Sequence, residues 1–283
     1  MLKTEGVKPP STKGPVARAT AFLKPYLLGA AGSAFLFLAG WTRPKHRAAI
    51  VELCHHFGYQ HESRELAELP AVPLAQLVAA DSLIDVRAID AIDGNVTERE
   101  LITICRLIRS ARPMKLFEIG TFDGRTTLNM VVNAAPGATV HTLDLRKSEI
   151  ENAASRIHAH EIVYADKAKS GERYRGTDAE ASIVQLYGDS GTFDFTRYYG
   201  LMDFVFIDAS HAFDYVVNDS LHALRMLKES GGTIIWHDYG RWDGVTAALN
   251  QLRRKRPEFH SIVSIAGTTL AVLERRSSGN ESV

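Results

Sequence analysis

Two short stretches of this chain put acids and imidazoles where chemistry can be done. Met202-Asp203-Phe204-Val205-Phe206-Ile207-Asp208-Ala209-Ser210-His211 is an apolar run that ends in a carboxylate, with a histidine three residues on. Gly232-Thr233-Ile234-Ile235-Trp236-His237-Asp238-Tyr239 repeats that pattern further along. If both runs are neighbouring parallel strands, their C-terminal ends lie close together, and Asp208, His237 and Asp238 converge on one point. The competing reading is three polar residues that only cap strands.

A third stretch, Leu116-Phe117-Glu118-Ile119-Gly120-Thr121-Phe122-Asp123-Gly124-Arg125-Thr126-Thr127, runs from an apolar strand through a glycine-bearing turn into a helix. Open α/β sheets bind ligands at such turns, against backbone N–H groups and a helix N-terminus. A dinucleotide fingerprint would need glycine where Phe122 and Arg125 stand, so a nicotinamide cofactor is disfavoured. The E-x-G-x-x-x-G that remains, with hydroxyls at Thr121, Thr126 and Thr127, suits a zwitterionic amino-acid tail. Glu118 would meet an ammonium, and N–H groups and hydroxyls a carboxylate. Asp144, at the end of the next apolar run, is placed to accept two ribose hydroxyls. Asp189 and Ser190, ending the run after that, suit the amino group of an adenine.

The elements that must hold these residues follow from the change of hydrophobic period after Pro113. Lys115 to Ile119, Thr139 to Leu143, Ile183 to Tyr187, Asp203 to Ile207 and Thr233 to Trp236 read as strands. Helical patterns such as Arg125 to Ala134 and Tyr215 to Lys228 lie between them, with Gly231-Gly232 as the stop of the latter. Ser261 to Ile265 and Thr269 to Leu273, separated by Ala266-Gly267-Thr268, read as a hairpin. The expected fold is a doubly wound, mostly parallel, Rossmann-like sheet ending in an antiparallel hairpin, with an N-terminal helical extension. From Ala48 to about Arg112 the pattern is helical and irregular, broken at Leu69-Pro70-Ala71-Val72-Pro73. Its last helix, Thr97 to Ser110, opens with the capping box Thr97-Glu98-Arg99-Glu100. Expected divisions are 1–47 as a basic and apolar extension, 48–112 as a helical region, 113–275 as the catalytic domain and 276–283 as a polar tail.

The form Phe-Glu-Ile-Gly-Thr-Phe-Asp-Gly-Arg-Thr at 117–126, followed by strands ending in Asp144 and in Asp189-Ser190, resembles class I S-adenosylmethionine-dependent methyltransferases. It is most similar to the group that includes catechol and caffeoyl-CoA O-methyltransferases, over about Thr97 to Glu274. The Asp-Ala-Ser-His turn and the His-Asp-Tyr strand end resemble relatives in bacteria that modify sugars and natural products. The resemblance implies S-adenosylmethionine contacts at Glu118, Gly120, Thr121, Gly124, Thr126, Asp144, Asp189 and Ser190. It also implies a divalent cation, magnesium or manganese, held by an acid after the fourth strand and an acid pair after the fifth. Asp208 and Asp238 match that set, while His237 stands where an oxygen ligand would be, which shifts preference away from magnesium. Those families carry a lysine base three residues after the first acid. Here His211 takes the place, and with Asp208 forms the implied catalytic pair, imidazole being the better base near neutral pH. The implied activity is O-methylation of a small-molecule or sugar-containing acceptor, with nitrogen methylation open. An inactive cofactor-binding or membrane-linked scaffold is the rival.

The chain has 283 residues with 33 basic and 33 acidic side chains, a balance that gives no sign of a nucleic-acid partner. Cys54 and Cys105 are far apart and fit neither a disulfide framework nor a thiolate metal site, and Cys54, His55, His56 and His61 read as helix-surface residues. A cytoplasmic location is expected. The N-terminus complicates it: basic residues precede an uncharged run from Tyr26 to Trp41, and Arg43, Lys45 and Arg47 follow. At 16 residues that run is short for a span, so membrane contact through residues 20–47 stands beside a soluble helix and a signal segment as an expectation. The charged segment His160 to Ala181 is expected to wall the acceptor site, and the helical N-terminal region to cover it or to pair with a second copy in a homo-oligomer.

Overall fold

The computed structural model describes residues 15–43, 45–47, 49–50, 53, 63–79, 83–152 and 170–276. Cys54, His55, His56, His61, His160 to Lys169 and the polar tail lie outside them. The chain divides into two compact units, Met1–Tyr59 and Gln60–Val283. Among the described residues, the first contains helix α1 (Pro15–Ala39), a 3-10 turn at Gly40–Thr42 and helical residues at 45–47 and 49–50.

The second unit is built on an eight-stranded sheet. Its strands are β1 (Ala71–Val72), β2 (Lys115–Ile119), β3 (Thr139–Asp144), β4 (Ile183–Tyr187), β5 (Phe204–Ile207), β6 (Gly231–Trp236), β7 (Val263–Ile265) and β8 (Ala271–Arg276). The spatial order is β1-β7-β8-β6-β5-β2-β3-β4. Every pairing is parallel except those of β8, which is antiparallel to β6 on one side and to β7 on the other. The expected doubly wound sheet with a terminal hairpin is thus present. Gly231 and Gly232 are a correction: the preceding helix ends at Met226, and the two glycines open β6.

Alternation along the strands explains why both faces are covered. Leu116, Phe204, Phe206 and Ile235 point to one face, where Leu101, Ile104 and Ile108 of α2 (Glu98–Ala111) and Met130 of α3 (Arg125–Asn133) pack on them. Phe117, Val205, Ile207, Ile234 and Trp236 point to the other, onto α4 (Phe213–Met226) and α5 (Asp243–Lys255). In α5 the buried Val245, Ala248, Leu249 and Leu252 recur at helical spacing, and Arg253, Arg254 and Lys255 in the last turn complement its dipole. Each such aliphatic side chain contributes about 1.5–3 kcal/mol by leaving water.

Between Ser63 and Val96 the described residues contain no α-helix, only β1 and a 3-10 turn at Leu74–Gln76. Polar side chains of α3 hold this extended chain in place. Asn133 and Asn129 bond the backbones of Asp85 and Arg87, and the buried Arg125 guanidinium donates to the carbonyls of Ala88, Ile89 and Val96 at 2.6–3.0 Å. Side chains thereby supply the partners that a helix would have found within its own backbone.

Candidate active site

The parallel register Ile119↔Ile207 and Ile207↔Trp236 sets the C-terminal ends of β2, β5 and β6 side by side, with the end of β3 next to β2. All the residues singled out from the sequence at strand ends therefore lie along one edge of the sheet.

At the β2 end, Gly120 has φ +103°, and a Cβ there would fall 1.8 Å from the carbonyl oxygen of Asp208. Only glycine permits the turn to pass that close to β5. Glu118 is fully buried. Its Oε2 accepts hydrogen bonds from the hydroxyls of Thr127 and Thr142, the latter at 2.5 Å, while its Oε1 has no partner among the described residues. Burial outweighs the two hydroxyls and pushes its pKa up to about 8. On α3 the threonine that donates to this acid is Thr127, next to the expected Thr126. Thr121 is tied into the interior, 2.7 Å from Thr142 Oγ1 and 3.0 Å from Gln185 Nε2. Gly124 closes the turn as the N-cap of α3.

Asp144 is buried at the end of β3 and accepts a hydrogen bond from Ser170. The turn that starts at Ser170 runs along the glycine loop: Gly171 N–H donates to Phe122 O at 3.0 Å, and Arg173 pairs with Asp123 at 2.8 Å. So the described part of the expected His160–Ala181 wall packs on the glycine turn itself. After β4, Asp189 Oδ1 accepts from Gly191 N–H at 2.9 Å, and Ser190 donates to Asp219 of α4 at 3.1 Å. Asp219 escaped the sequence reading; it is fully buried, and burial pushes its pKa up to about 7.

The acid and imidazole groups do converge at the β5 and β6 ends, but in a different arrangement from the one expected. His237 Nδ1 lies 3.0 Å from Asp208 Oδ1 and 3.2 Å from Asp238 Oδ2, and its Nε2 lies 3.3 Å from Glu100 Oε2. Burial alone would lower its pKa, but the charges of Asp238, Asp208 and Glu100 hold it well above the ordinary range. Both ring nitrogens of His237, expected as a metal ligand, lie against carboxylates in this arrangement and are placed to donate to them. The ligand-type atoms that do cluster belong to Asp208, His211 and Asp238, all within 4.8 Å of one another.

His211 bonds Asp238 Oδ2 through Nε2 at 2.8 Å, and its ring stacks on Trp242 with centroids 4.6 Å apart and planes 7° from parallel. Its backbone is fixed by α5, since a Cβ at Gly244 would come within 2.2 Å of the His211 carbonyl oxygen. Asp238 itself sits at φ +66°, an uncommon conformation for a non-glycine residue and one that concentrates at functional sites. Burial would raise its pKa, yet the His237 charge and the two imidazole hydrogen bonds hold it well below the usual carboxylate range.

Glu100 was legible only as a helix cap. It completes the capping box of α2 through Thr97, and also accepts from Thr269 N–H at 2.8 Å and Thr269 Oγ1 at 2.7 Å. The His237 charge and these donors together overcome burial, leaving its carboxyl well below the ordinary range.

Set against known proteins, residues 117–239 match the family model described as a methyltransferase domain. No curated protein sequence matches the chain. Similar solved structures include the O-methyltransferase TomG of Streptomyces achromogenes, involved in tomaymycin synthesis and solved with S-adenosylmethionine. It is 17% identical, with a TM-score of 0.44 over 80% of this chain and 96% of that one. An O-methyltransferase of Bacillus cereus in complex with S-adenosylhomocysteine is 17% identical, with a TM-score of 0.44 over 72% and 89%. The S-adenosylhomocysteine-bound methyltransferase PaMTH1 of Podospora anserina is 16% identical, with a TM-score of 0.45 over 65% and 80%. The family match runs from the strand before the glycine turn to the His-Asp-Tyr strand end, so residues 117–239 are similar to a methyltransferase domain, carried on a Rossmann-like sheet.

Proposed function

We propose that the acceptor atom is a hydroxyl oxygen of a small-molecule or sugar-containing substrate, and that His211 removes its proton. The observation that carries this is the His211–Asp238 pair at 2.8 Å, braced by Trp242 and adjacent to Asp208. An imidazole held by a buried carboxylate on one nitrogen is the arrangement general bases use.

The cofactor would be held at the other end of the same edge. Glu118 Oε1, buried and without a partner among the described residues, fits the ammonium of its amino-acid tail, and Asp144 fits the ribose hydroxyls. Asp189 is placed for the adenine, whereas the Ser190 hydroxyl is occupied by Asp219. The cofactor supplies a methyl group already activated on a sulfonium, so the chain has little covalent work to do. When bound, the cofactor would give its methyl group to the acceptor oxygen, with the carbon–sulfur electron pair left on sulfur, and His211 would take the hydroxyl proton. Positioning the oxygen in line and taking that proton are the contributions of Asp208, His211 and Asp238.

A second reading rests on the same three residues. Two carboxylates and an imidazole offering one atom each within 4.8 Å are a fitting donor set for manganese or another divalent cation, which would lower the pKa of a hydroxyl it touched. Chelation separates the two. His211→Ala is expected to lower turnover by about 10²–10⁴-fold while keeping S-adenosylhomocysteine affinity, and to recover part of the rate at alkaline pH, where the acceptor ionises unaided. Full activity after chelator treatment, with no metal in elemental analysis, sustains the base. Activity lost on chelation and restored by manganese sustains the cation. An active chain whose product carries the methyl group on nitrogen overturns the hydroxyl acceptor.

A further inference from the structure

We propose that α1 is a membrane anchor, crossing a lipid bilayer over Leu23–Thr42. Over 18 residues of that stretch the mean hydropathy is 1.3, and only 6% of them are buried. Tyr26, Leu27, Leu28, Phe35, Leu38 and Trp41 are each more than half exposed, Leu38 at 80%. A soluble protein rarely leaves so much contiguous apolar surface to water.

The side of α1 away from these bulky residues identifies the occupant. Ser33, Leu36 and Gly40, spaced along one helix face, are the covered positions, and Gly40 packs on Leu36 and His46 of the same unit. Leu27, Leu28, Phe35 and Leu38 lie outside that face and are more than half exposed among the described residues.

Lipid fits better than a protein groove on three counts. No charge occurs between Lys24 and Arg43, and at 1.5 Å per residue these two ends stand roughly 28 Å apart, close to the hydrocarbon thickness of a bilayer. Tyr26 and Trp41 sit near the two ends, where amphipathic rings settle at headgroup level. Arg43, Lys45 and Arg47 follow at once, suited to anionic headgroups. A helix lying flat on the surface would need a charged face along its length, and this one has none. The inference does not depend on which atom is methylated, and it places the enzyme at a membrane.

The test is flotation of the full chain with phosphatidylcholine vesicles, with and without phosphatidylglycerol, followed by extraction with high salt and with alkaline carbonate. The chain is expected to float with both vesicle types and to resist both extractions, coming off only in detergent. Leu28→Arg combined with Phe35→Arg is expected to lower the vesicle-bound fraction at least about a hundredfold, given the cost of charge at the bilayer centre. The same variant should keep S-adenosylhomocysteine affinity, which reports that the catalytic unit is folded. A native chain that stays soluble without detergent and fails to float overturns the proposal, and a stable soluble dimer would name a second copy as the occupant instead. Binding only to vesicles with phosphatidylglycerol, stripped by salt, also overturns the span, since it reports surface charge alone.

Discussion

The Glu100 carboxylate is shared between the cap of α2 and the imidazole of His237, whose Nε2 lies 3.3 Å away. One side chain thus joins a helix that precedes the methyltransferase segment, the Thr269 turn of the β7–β8 hairpin and the buried cation of the active site. Glu100→Gln keeps the shape and one acceptor oxygen but removes the charge. It is expected to cost about 3 kcal/mol of stability, because a buried charge loses part of its compensation. Denaturant titration checks it, and an unchanged midpoint would show that Asp208 and Asp238 suffice for His237.

Glu118 provides a test of cofactor binding that needs no acceptor. With its pKa near 8, it holds a proton at neutral pH in the free enzyme. Pairing with an ammonium favours the carboxylate, so binding should expel that proton. Affinity for S-adenosylhomocysteine should then rise about tenfold per pH unit up to about pH 8 and level off above it. Calorimetry in buffers of different ionisation enthalpy reads the release directly. Identical heats in all buffers would take the ammonium away from Glu118, and Glu118→Gln should abolish the effect.

Asp219 gives a stability prediction of defined sign. Its pKa is raised from 3.8 to about 7, so the folded state holds the proton more tightly than the unfolded chain. The stability this represents is complete below pH 3.8 and is lost as pH rises through 7. Asp219→Asn cannot ionise, and its amide oxygen can still accept from Ser190. The variant should be more stable than the parent above pH 7, by at most about 4 kcal/mol, with the gap closing on acidification. A constant difference at all pH values would mean that Asp219 does not titrate.

Asp144 should matter to the cofactor and little to the acceptor. Asp144→Ala is expected to weaken S-adenosylhomocysteine binding by about 1–3 kcal/mol through loss of charged hydrogen bonds to the ribose. Ser170→Ala, which removes the hydroxyl now bonded to Asp144, should leave that affinity intact or raise it. If neither change moves the affinity, Asp144 is not at the cofactor.

Much of the sheet could be read from the chain because its strands are short apolar runs, each closed by a turn or a polar residue, and parallel order follows from the helices between them. That logic located Glu118, Asp144, Asp208, His237 and Asp238 on one edge. It could not orient the rings. His237 adjoins Asp238 in sequence and His211 follows Asp208 by three residues, yet in the fold His211 bonds Asp238, and His237 lies between Asp238, Asp208 and Glu100, the last of them 137 residues earlier in the chain. Glu100 itself was hidden by sufficiency, since the capping box already accounts for a glutamate there. Residues 63–96 misled for a related reason: their backbone is satisfied by Arg125, Asn129 and Asn133, which no local pattern announces.

The position of β8 between β6 and β7 has a consequence for the order of assembly. During synthesis β6 and β7 emerge first, yet they share no ladder with each other, and β1 joins the sheet only through β7. Three strands made at different times wait for Ala271–Arg276 before that half of the sheet can close. Until the ribosome has delivered β8, the growing chain presents the edge of β6 unpaired. A cell making this chain is therefore expected to depend on chaperones until β8 has been synthesised.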